Sequence, residues 1–267
     1  MYLTGLRRRL DHAPDLASFP WSLPLVRELA ELRLDAPVTF LVGENGSGKS
    51  TLLEGMAAGM EAVAAGRRDL GRDPSLAAAR AFAAGFIFAR RRHARTRLFL
   101  RAEDVFGFTL RVGEDMEGLD EEARALAAAL PPGYGRQLAV GVVRGQRQAL
   151  SRAYGEQPDA RSHGETFLHL LQRRLVPNGL YFLDEPETPL SPTRVLALLA
   201  LLAGRVAQGC QFVIATHSPM LLALPGAAIL LAEDGRLRPA AWDELEHVRV
   251  TRAFLNDPAA VLSKLLS

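Results

Sequence analysis

The stretch LVGENGSGKST, from Leu41 to Thr51, decides the fold. It continues VTFLV (residues 38–42), a short apolar run that predicts a buried strand, and it leads into residues with helical spacing. Residues 43–50 fit the pattern G-x-x-x-x-G-K-[ST] between that strand and that helix. Glycines in such a loop let successive backbone N–H groups point at phosphate oxygens. The alternative is a chance glycine turn before a helix.

The loop supplies candidate ligands for a nucleotide and for Mg²⁺. The Lys49 ammonium would reach the β- and γ-phosphates, and the Ser50 hydroxyl would bind the metal. The helix that begins near Lys49 would add the positive end of its dipole. Lys49 and Lys264 are the only lysines in a chain that otherwise uses arginine. The predicted nucleotide-binding residues of the loop are Gly43, Glu44, Asn45, Gly46, Ser47, Gly48, Lys49, Ser50 and Thr51.

Composition indicates a soluble globular protein. The 267 residues are 48% hydrophobic and 23% charged, which is ample for a sizeable core. The formal net charge of +2 is too small to indicate that the protein as a whole binds a polyanion. Cys210 is the only cysteine, so no intramolecular disulfide forms, and we expect its side chain to be buried. We find no apolar run suited to a secretory signal or a membrane span, and we expect a cytoplasmic protein.

Buried strands alternate with helices along the chain, which predicts an α/β fold with a largely parallel central sheet. The part before residue 38 predicts short strands and turns. Other strands are predicted at 86–90, 97–103, 179–185 and 211–218, and helices at 50–66, 164–175 and 191–207.

The composition changes between residues 104 and 161, where we predict an inserted helical subdomain. Residues 117–130 have helical spacing, and PPGYG (residues 131–135) breaks that helix. The polar stretch that follows, up to Asp159, is rich in glycine and arginine, and we expect it to be a mobile connection.

Polar residues follow two of the predicted strands. Asp184 and Glu185 end GLYFLDE, where Asp184 would hold Mg²⁺ through water and Glu185 would orient and deprotonate an attacking water. The alternative is a strand end that meets solvent. His217, after QFVIAT, would hydrogen-bond the γ-phosphate, because ligands of α/β sheets collect at the carboxyl ends of strands. The alternative is a histidine that caps the next helix.

The order GENGSGKST, SHGE, YFLDEPE and ATHS resembles the ATPase core of the ABC-type ATPases. SHGE (residues 162–165) is similar to their signature motif, with histidine in place of the first glycine. DEPETPLSP differs from the loop of transporter subunits and resembles the DEPExxLxP form of stand-alone members. FPWSLP, SHGETFL and EHVRVTRAFLNDP further resemble a group of small bacterial predicted ATPases. The resemblance implies a P-loop NTPase fold and one ABC-type domain over residues 1–267.

The resemblance also implies a head-to-tail dimer that closes on two MgATP. The signature of one subunit, with Ser162, His163, Gly164 and Glu165, would contact the γ-phosphate held by its partner. Ser162 and Glu165 also have the spacing of a helix capping box. Capping of the helix and contact with phosphate are compatible roles.

Two positions implied by the resemblance stay open in the sequence. Members usually carry a glutamine that links Mg²⁺ to the helical subdomain, and Glu103 lies nearest that place. The adenine normally stacks on an aromatic residue upstream of the loop, for which Phe19 and Trp21 are candidates, although either equally suits the core.

The coupled process is left open by the sequence. Arginines at 7–9 and within 89–101 would contact nucleic-acid phosphates, or form an ordinary solvated turn. We expect a soluble ATPase that couples dimer closure to an unidentified protein partner. The alternatives are the nucleotide-binding subunit of an ABC transporter, a nucleic-acid-associated repair or defence ATPase, and a nucleotide-gated scaffold that hydrolyses little.

Overall fold

The computed structural model describes residues 1–64, 77–154 and 163–266, with side chains described outside 104–111, 153–154 and 163. The chain divides into two compact units. The first comprises Met1–Ala102 and Leu175–Ser267, and the second comprises Glu103–Arg174.

The described strands form two sheets, both in the first unit. The central sheet has seven strands in the order β10-β9-β3-β8-β7-β6-β4, and the smaller sheet has three in the order β2-β1-β5. The strands are β1 (Leu3–Arg8), β2 (Glu31–Arg33), β3 (Val38–Gly43), β4 (Val63–Ala64), β5 (Phe86–Arg90), β6 (Thr96–Arg101), β7 (Gly179–Asp184), β8 (Gln211–Ala215), β9 (Ala228–Glu233) and β10 (Arg236–Pro239).

The described α-helices lie between and after these strands. They are α1 (Pro24–Glu28), α2 (Lys49–Gly59), α3 (Ala77–Ala84), α4 (Ala102–Ala129), α5 (Tyr134–Tyr154), α6 (His163–Arg174), α7 (Pro192–Ala207), α8 (Glu246–Asn256) and α9 (Pro258–Leu265). No helix within the described ranges is long and apolar enough to cross a membrane.

The central sheet is parallel except at its β9–β10 edge, so the predicted fold class is confirmed. β7 and β8 are buried along their whole length, as continuous apolar runs in parallel sheets are. The parallel order brings the carboxyl ends of β3, β6, β7 and β8 to one edge. Every motif predicted for chemistry in the first unit therefore follows a strand at that edge.

The small antiparallel sheet is joined to the central sheet through buried Gln211. Its side-chain oxygen accepts from the N–H groups of Tyr2 and Leu3, and its amide nitrogen donates to Leu3 O at 2.7 Å. Cys210 is buried, as predicted. The part before residue 38 contains the short helix α1 as well as the strands and turns that were predicted, with Pro24 at its first position.

Several predicted element ends are wrong: the strand predicted at 211–218 ends at Ala215, and the helix predicted at 117–130 begins at Ala102. The helix after the glycine loop ends at Gly59 rather than continuing to residue 66. Glu61 has φ 52°, and the Ala62 N–H donates to Ala57 O at 2.9 Å, a pairing that closes helices. The strand predicted at 97–103 ends at Arg101, because Ala102 already begins α4.

The second unit is helical in its described residues, with a core of its own. The predicted mobile connection is wrong as far as residue 154, since residues 134–154 form the 21-residue helix α5, and residues 155–159 lie outside the described residues. Val140 and Val143 of this helix pack with Ala123 of α4. A Cβ at Gly141 or Gly145 would meet open space, so both glycines lie away from the packed apolar face of the helix. The helix therefore keeps that face although its sequence contains glycines.

Candidate active site

The glycine loop has the backbone that its sequence requires. Gly46 and Gly48 have φ of 82° and 94°, in the left-handed region that favours glycine. Gly43 allows a close approach, because a Cβ there would lie 2.5 Å from Ala232 O. Gly48 is the N-cap of α2, so the helix begins at Lys49 with its first N–H groups directed into the loop. This is the arrangement of an anion-binding loop.

The Lys49 side chain lies across the loop that precedes it. Its Nζ donates to Gly43 O and Glu44 O, each at 2.8 Å. Burial lowers the pKa of Lys49, and the carboxylates of Glu185 and Asp184 oppose that shift. Lys49 therefore lies in the loop that its motif predicts, beside two acids from another strand.

Ser50 and Asp184 come together from positions 134 residues apart in the chain. The Ser50 hydroxyl donates to Asp184 Oδ1 at 3.1 Å, and Asp184 is buried at the end of β7. Mg²⁺ prefers oxygen ligands from hydroxyl, carboxylate and water. This pair therefore fits the Mg²⁺ that accompanies ATP in P-loop proteins.

The second Asp184 oxygen is also engaged. Arg101, the last residue of β6, donates from Nε to Asp184 Oδ2 at 3.2 Å, and its Nη2 contacts Glu54 on α2. Burial raises the pKa of Asp184, while the Arg101 charge and the hydrogen bonds from Arg101 and Ser50 lower it. From the sequence, Arg101 was considered only with the other arginines of 89–101, with no role beside Asp184. The signal in the sequence was a charged residue at the end of the apolar run LFL. In the sheet, this run lies in the strand next to GLYFLD.

Glu185 differs from Asp184 in both backbone and exposure. Its φ of 47° is uncommon for a residue other than glycine and turns the chain sharply after β7. Its side chain is 43% exposed, against 5% for Asp184. A solvent-facing carboxylate beside a buried one suits the two roles predicted for this pair, with water on Glu185 and metal on Asp184.

Glu187 joins the loop after β7 to the loop after β8. Its Oε1 accepts from the Thr216 hydroxyl and from the backbone N–H groups of His217 at 3.0 Å and Ser218 at 3.1 Å. Burial raises the pKa of Glu187, and these hydrogen bonds oppose the shift. Glu187 was given no role from the sequence, although the last acid of DEPE was the signal.

His217 lies beside Glu185, with Nε2 3.8 Å from Glu185 Oε1. Burial lowers the pKa of His217, the Lys49 and His247 charges lower it further, and Glu185 opposes them. The imidazole is therefore neutral near pH 7 and has one N–H donor and one acceptor nitrogen. Within the described part of the chain, Nε2 is buried and has no hydrogen-bond partner.

The other predicted site residues are placed as follows. Ser162 lies outside the described residues. His163 and Gly164 are the first two residues of α6, and Glu165 lies in its first turn. Glu103 is the second residue of α4 and belongs to the second unit, so its metal role stays a prediction.

The two aromatic candidates differ in environment. Trp21 is 3% exposed and stacks with Phe86 at a centroid distance of 5.8 Å, as a core residue does. Phe19 is 57% exposed, which leaves its ring open to a ligand.

Two family models match parts of the chain. A model described as "AAA domain" matches residues 18–98, which contain the glycine loop. A model described as "AAA domain, putative AbiEii toxin, Type IV TA system" matches residues 166–223, which contain DEPE and His217. No curated protein matches the sequence significantly.

Solved structures with a similar chain path come from ABC transporters. A nucleotide-free ATP-binding cassette from an ABC transporter is 16% identical, with 98% of each chain covered and a TM-score of 0.44. An ATP-binding subunit of an ABC transporter is 20% identical, with 80% of this chain and 82% of that chain covered and a TM-score of 0.38.

The class follows from the family-model matches taken with the glycine loop and the site that it faces. Together they support a P-loop ATPase domain, in which the glycine loop lies between β3 and α2.

Proposed function

We propose that this protein binds MgATP and hydrolyses it with Glu185 as the catalytic carboxylate. The observation that carries the proposal is the contact between Ser50 of the glycine loop and Asp184 of the next acidic strand, at 3.1 Å. The contact joins two oxygen groups of the kinds that bind Mg²⁺, one of them in the residue after Lys49, and this supports a metal site there. A chance glycine turn does not explain why a partly buried hydroxyl and a buried carboxylate from distant parts of the chain meet there.

The loop and α2 bind the triphosphate in this proposal. The backbone N–H groups of residues 43–51 and the start of α2 donate to phosphate oxygens. Lys49 exchanges its contacts with Gly43 O and Glu44 O for the β- and γ-phosphates. Ser50 would hold Mg²⁺ with its hydroxyl and Asp184 would hold it through water, and the metal would neutralise charge on the phosphates.

Glu185 acts on the water that attacks the γ-phosphate, and His217 acts on the phosphate itself. The exposed Glu185 carboxylate orients that water and accepts its proton. The neutral imidazole of His217 donates to a γ-phosphate oxygen, and Glu187 fixes the loop that carries it. The positions of Glu185 after β7 and His217 after β8, at the same edge of the sheet, support these two roles.

We further propose that the active form is a head-to-tail dimer, in which residues 162–165 of each subunit contact the ATP of the other. α6 begins at His163, within this signature, so its first turn supplies N–H donors suited to phosphate. Dimer closure would be the output, passed to a partner protein. Recovery of a membrane protein with the tagged chain would favour a transporter subunit, and nucleic-acid-stimulated turnover would favour a repair or defence ATPase.

The direct test compares Lys49→Ala with Lys264→Ala, the only other lysine of the chain. We expect Lys49→Ala to weaken binding of a fluorescent ATP analogue by about 10- to 100-fold, because it removes charged hydrogen bonds to phosphate. Lys264→Ala should leave binding and phosphate release unchanged. Equal binding by both variants would contradict the proposed site.

A further inference from the structure

Arg101 lies on the carboxylate that is proposed to bind the metal. Its Nε donates to Asp184 Oδ2 at 3.2 Å, while Asp184 Oδ1 already accepts from Ser50. Both carboxylate oxygens are therefore engaged, one of them by a permanent cation. A divalent ion that binds Asp184 must compete with that cation, since two positive charges on one buried carboxylate repel each other.

The position of Asp184 does not depend on Arg101. Asp184 ends a central strand, with register partners Arg101 on β6 and Ala215 on β8. The next N–H, of Glu185, donates to Ala215 O at 2.9 Å. The backbone that carries the carboxylate is thus fixed on both sides, and removal of the Arg101 side chain changes its charge environment rather than its place.

Arg101 has a second carboxylate to hold when it leaves Asp184. Its Nη2 contacts Glu54, which lies four residues after Ser50 on α2 and so on the same helix face. The Glu54 side chain is 17% exposed, and that of Arg101 is 26% exposed. The guanidinium can therefore stay anchored to α2 while Asp184 Oδ2 becomes available.

We propose that Arg101 is a built-in counter-cation of Asp184 that yields to Mg²⁺ only when the metal arrives with ATP. The inference rests on the proposed function and adds a residue that sets metal dependence. Without nucleotide, Arg101 neutralises Asp184 and disfavours binding of the bare ion. With nucleotide, phosphate oxygens supply the further ligands that let the metal displace it.

The test uses Mn²⁺, which shares the oxygen-ligand preference of Mg²⁺, with free Mn²⁺ followed by electron paramagnetic resonance. Wild-type protein should bind Mn²⁺ measurably only with a non-hydrolysable ATP analogue. Arg101→Gln should bind Mn²⁺ without nucleotide at least about tenfold more tightly than wild type, because one opposing charge at contact distance is removed.

Three further variants sharpen this test. Arg101→Met is also neutral and should match Arg101→Gln, which guards against a folding defect in either. Arg101→Lys keeps the charge and should retain the nucleotide requirement. Arg97→Gln, on the same strand, removes the exposed ion pair to Glu61 and should leave Mn²⁺ binding unchanged. Thermal unfolding in EDTA checks that each variant is folded.

The outcomes distinguish a failure of the proposed role of Arg101 from a failure of the proposed function. If wild type binds Mn²⁺ with the analogue, and the neutral variants bind it no more tightly without nucleotide, the role of Arg101 is wrong and the ATP site stands. Weaker binding by the neutral variants would also overturn it, since that would make Arg101 a support for the metal. If wild type with the analogue binds no Mn²⁺, the proposed function itself fails, and the inference fails with it.

Discussion

The carboxylate of Glu187 accepts a hydrogen bond from the backbone N–H of His217 at 3.0 Å. The same Oε1 also accepts from the Thr216 hydroxyl and from the N–H of Ser218. One side chain from the loop after β7 therefore fixes the three residues after β8. The proposed catalytic carboxylate, Glu185, and the proposed phosphate sensor, His217, are held relative to each other by this contact, since Glu185 lies two residues before Glu187.

We expect Glu187→Ala to lower the ATP hydrolysis rate about 10- to 100-fold with little change in ATP affinity, because it removes hydrogen bonds to a charged group that positions His217. Glu187→Gln keeps an acceptor oxygen and should recover most of the rate. Glu233→Ala, which removes an exposed ion pair with Arg238, serves as the control. A parallel loss of affinity and rate in Glu187→Ala would indicate general damage rather than positioning.

Stability should fall as the pH is lowered through the range in which histidine titrates. The folded state lowers the pKa of His217 and of His247, each first of all by burial. The unfolded chain therefore binds protons first as the pH falls below about 6.5, which favours unfolding.

Urea unfolding at pH 7.5, 6.5 and 5.5 measures this slope. His217→Asn should flatten it, whereas the same change at exposed His93 should not. An unchanged slope in His217→Asn would show that its protonation is not linked to folding.

Trp21 and Phe19 should separate stability from nucleotide affinity. Trp21→Ala removes a buried ring that packs against Phe82 and Phe86, and we expect it to lower the free energy of unfolding by about 3–5 kcal/mol. Phe19→Ala should change stability by no more than about 0.5 kcal/mol, because its ring is largely exposed. A loss of ATP affinity in Phe19→Ala without loss of stability would assign it to the adenine.

The dimer is tested by solution mass with the Glu185→Gln variant, which should retain MgATP. We expect a monomer without nucleotide and a dimer with MgATP. Adding Ser162→Arg should abolish the dimer, because the larger side chain and its charge replace the hydroxyl donor in trans. An ATP-bound monomer in Glu185→Gln alone would limit the SHGE segment to the capping of α6.

The central sheet was predictable because its strands are continuous apolar runs and its chemistry lies directly after them. The glycine loop, Asp184 and His217 were all found in this way. The failures came from tertiary contacts. The polar spacing of residues 134–154 hid a helix whose Val140 and Val143 face Ala123, a contact that local sequence does not reveal.

Arg101 and Glu187 were missed for a related reason. Each acts through a partner far away in sequence, at 83 residues for Arg101 with Asp184 and 30 for Glu187 with His217. Only the register of β6 beside β7, and of β7 beside β8, shows that these side chains meet. Trp21 and Phe19 likewise looked equivalent as candidates for adenine stacking. The burial of Trp21 is decided by residues that follow later in the chain, Phe82 and Phe86.

The most direct measurement is ATP binding and phosphate release by Glu185→Gln beside wild type under identical MgATP conditions. The account predicts that the variant binds MgATP as tightly as wild type and releases phosphate about 10²- to 10⁴-fold more slowly, as loss of a general base requires. Phosphate release at the wild-type rate would contradict it, because Glu185 would then not be the catalytic carboxylate.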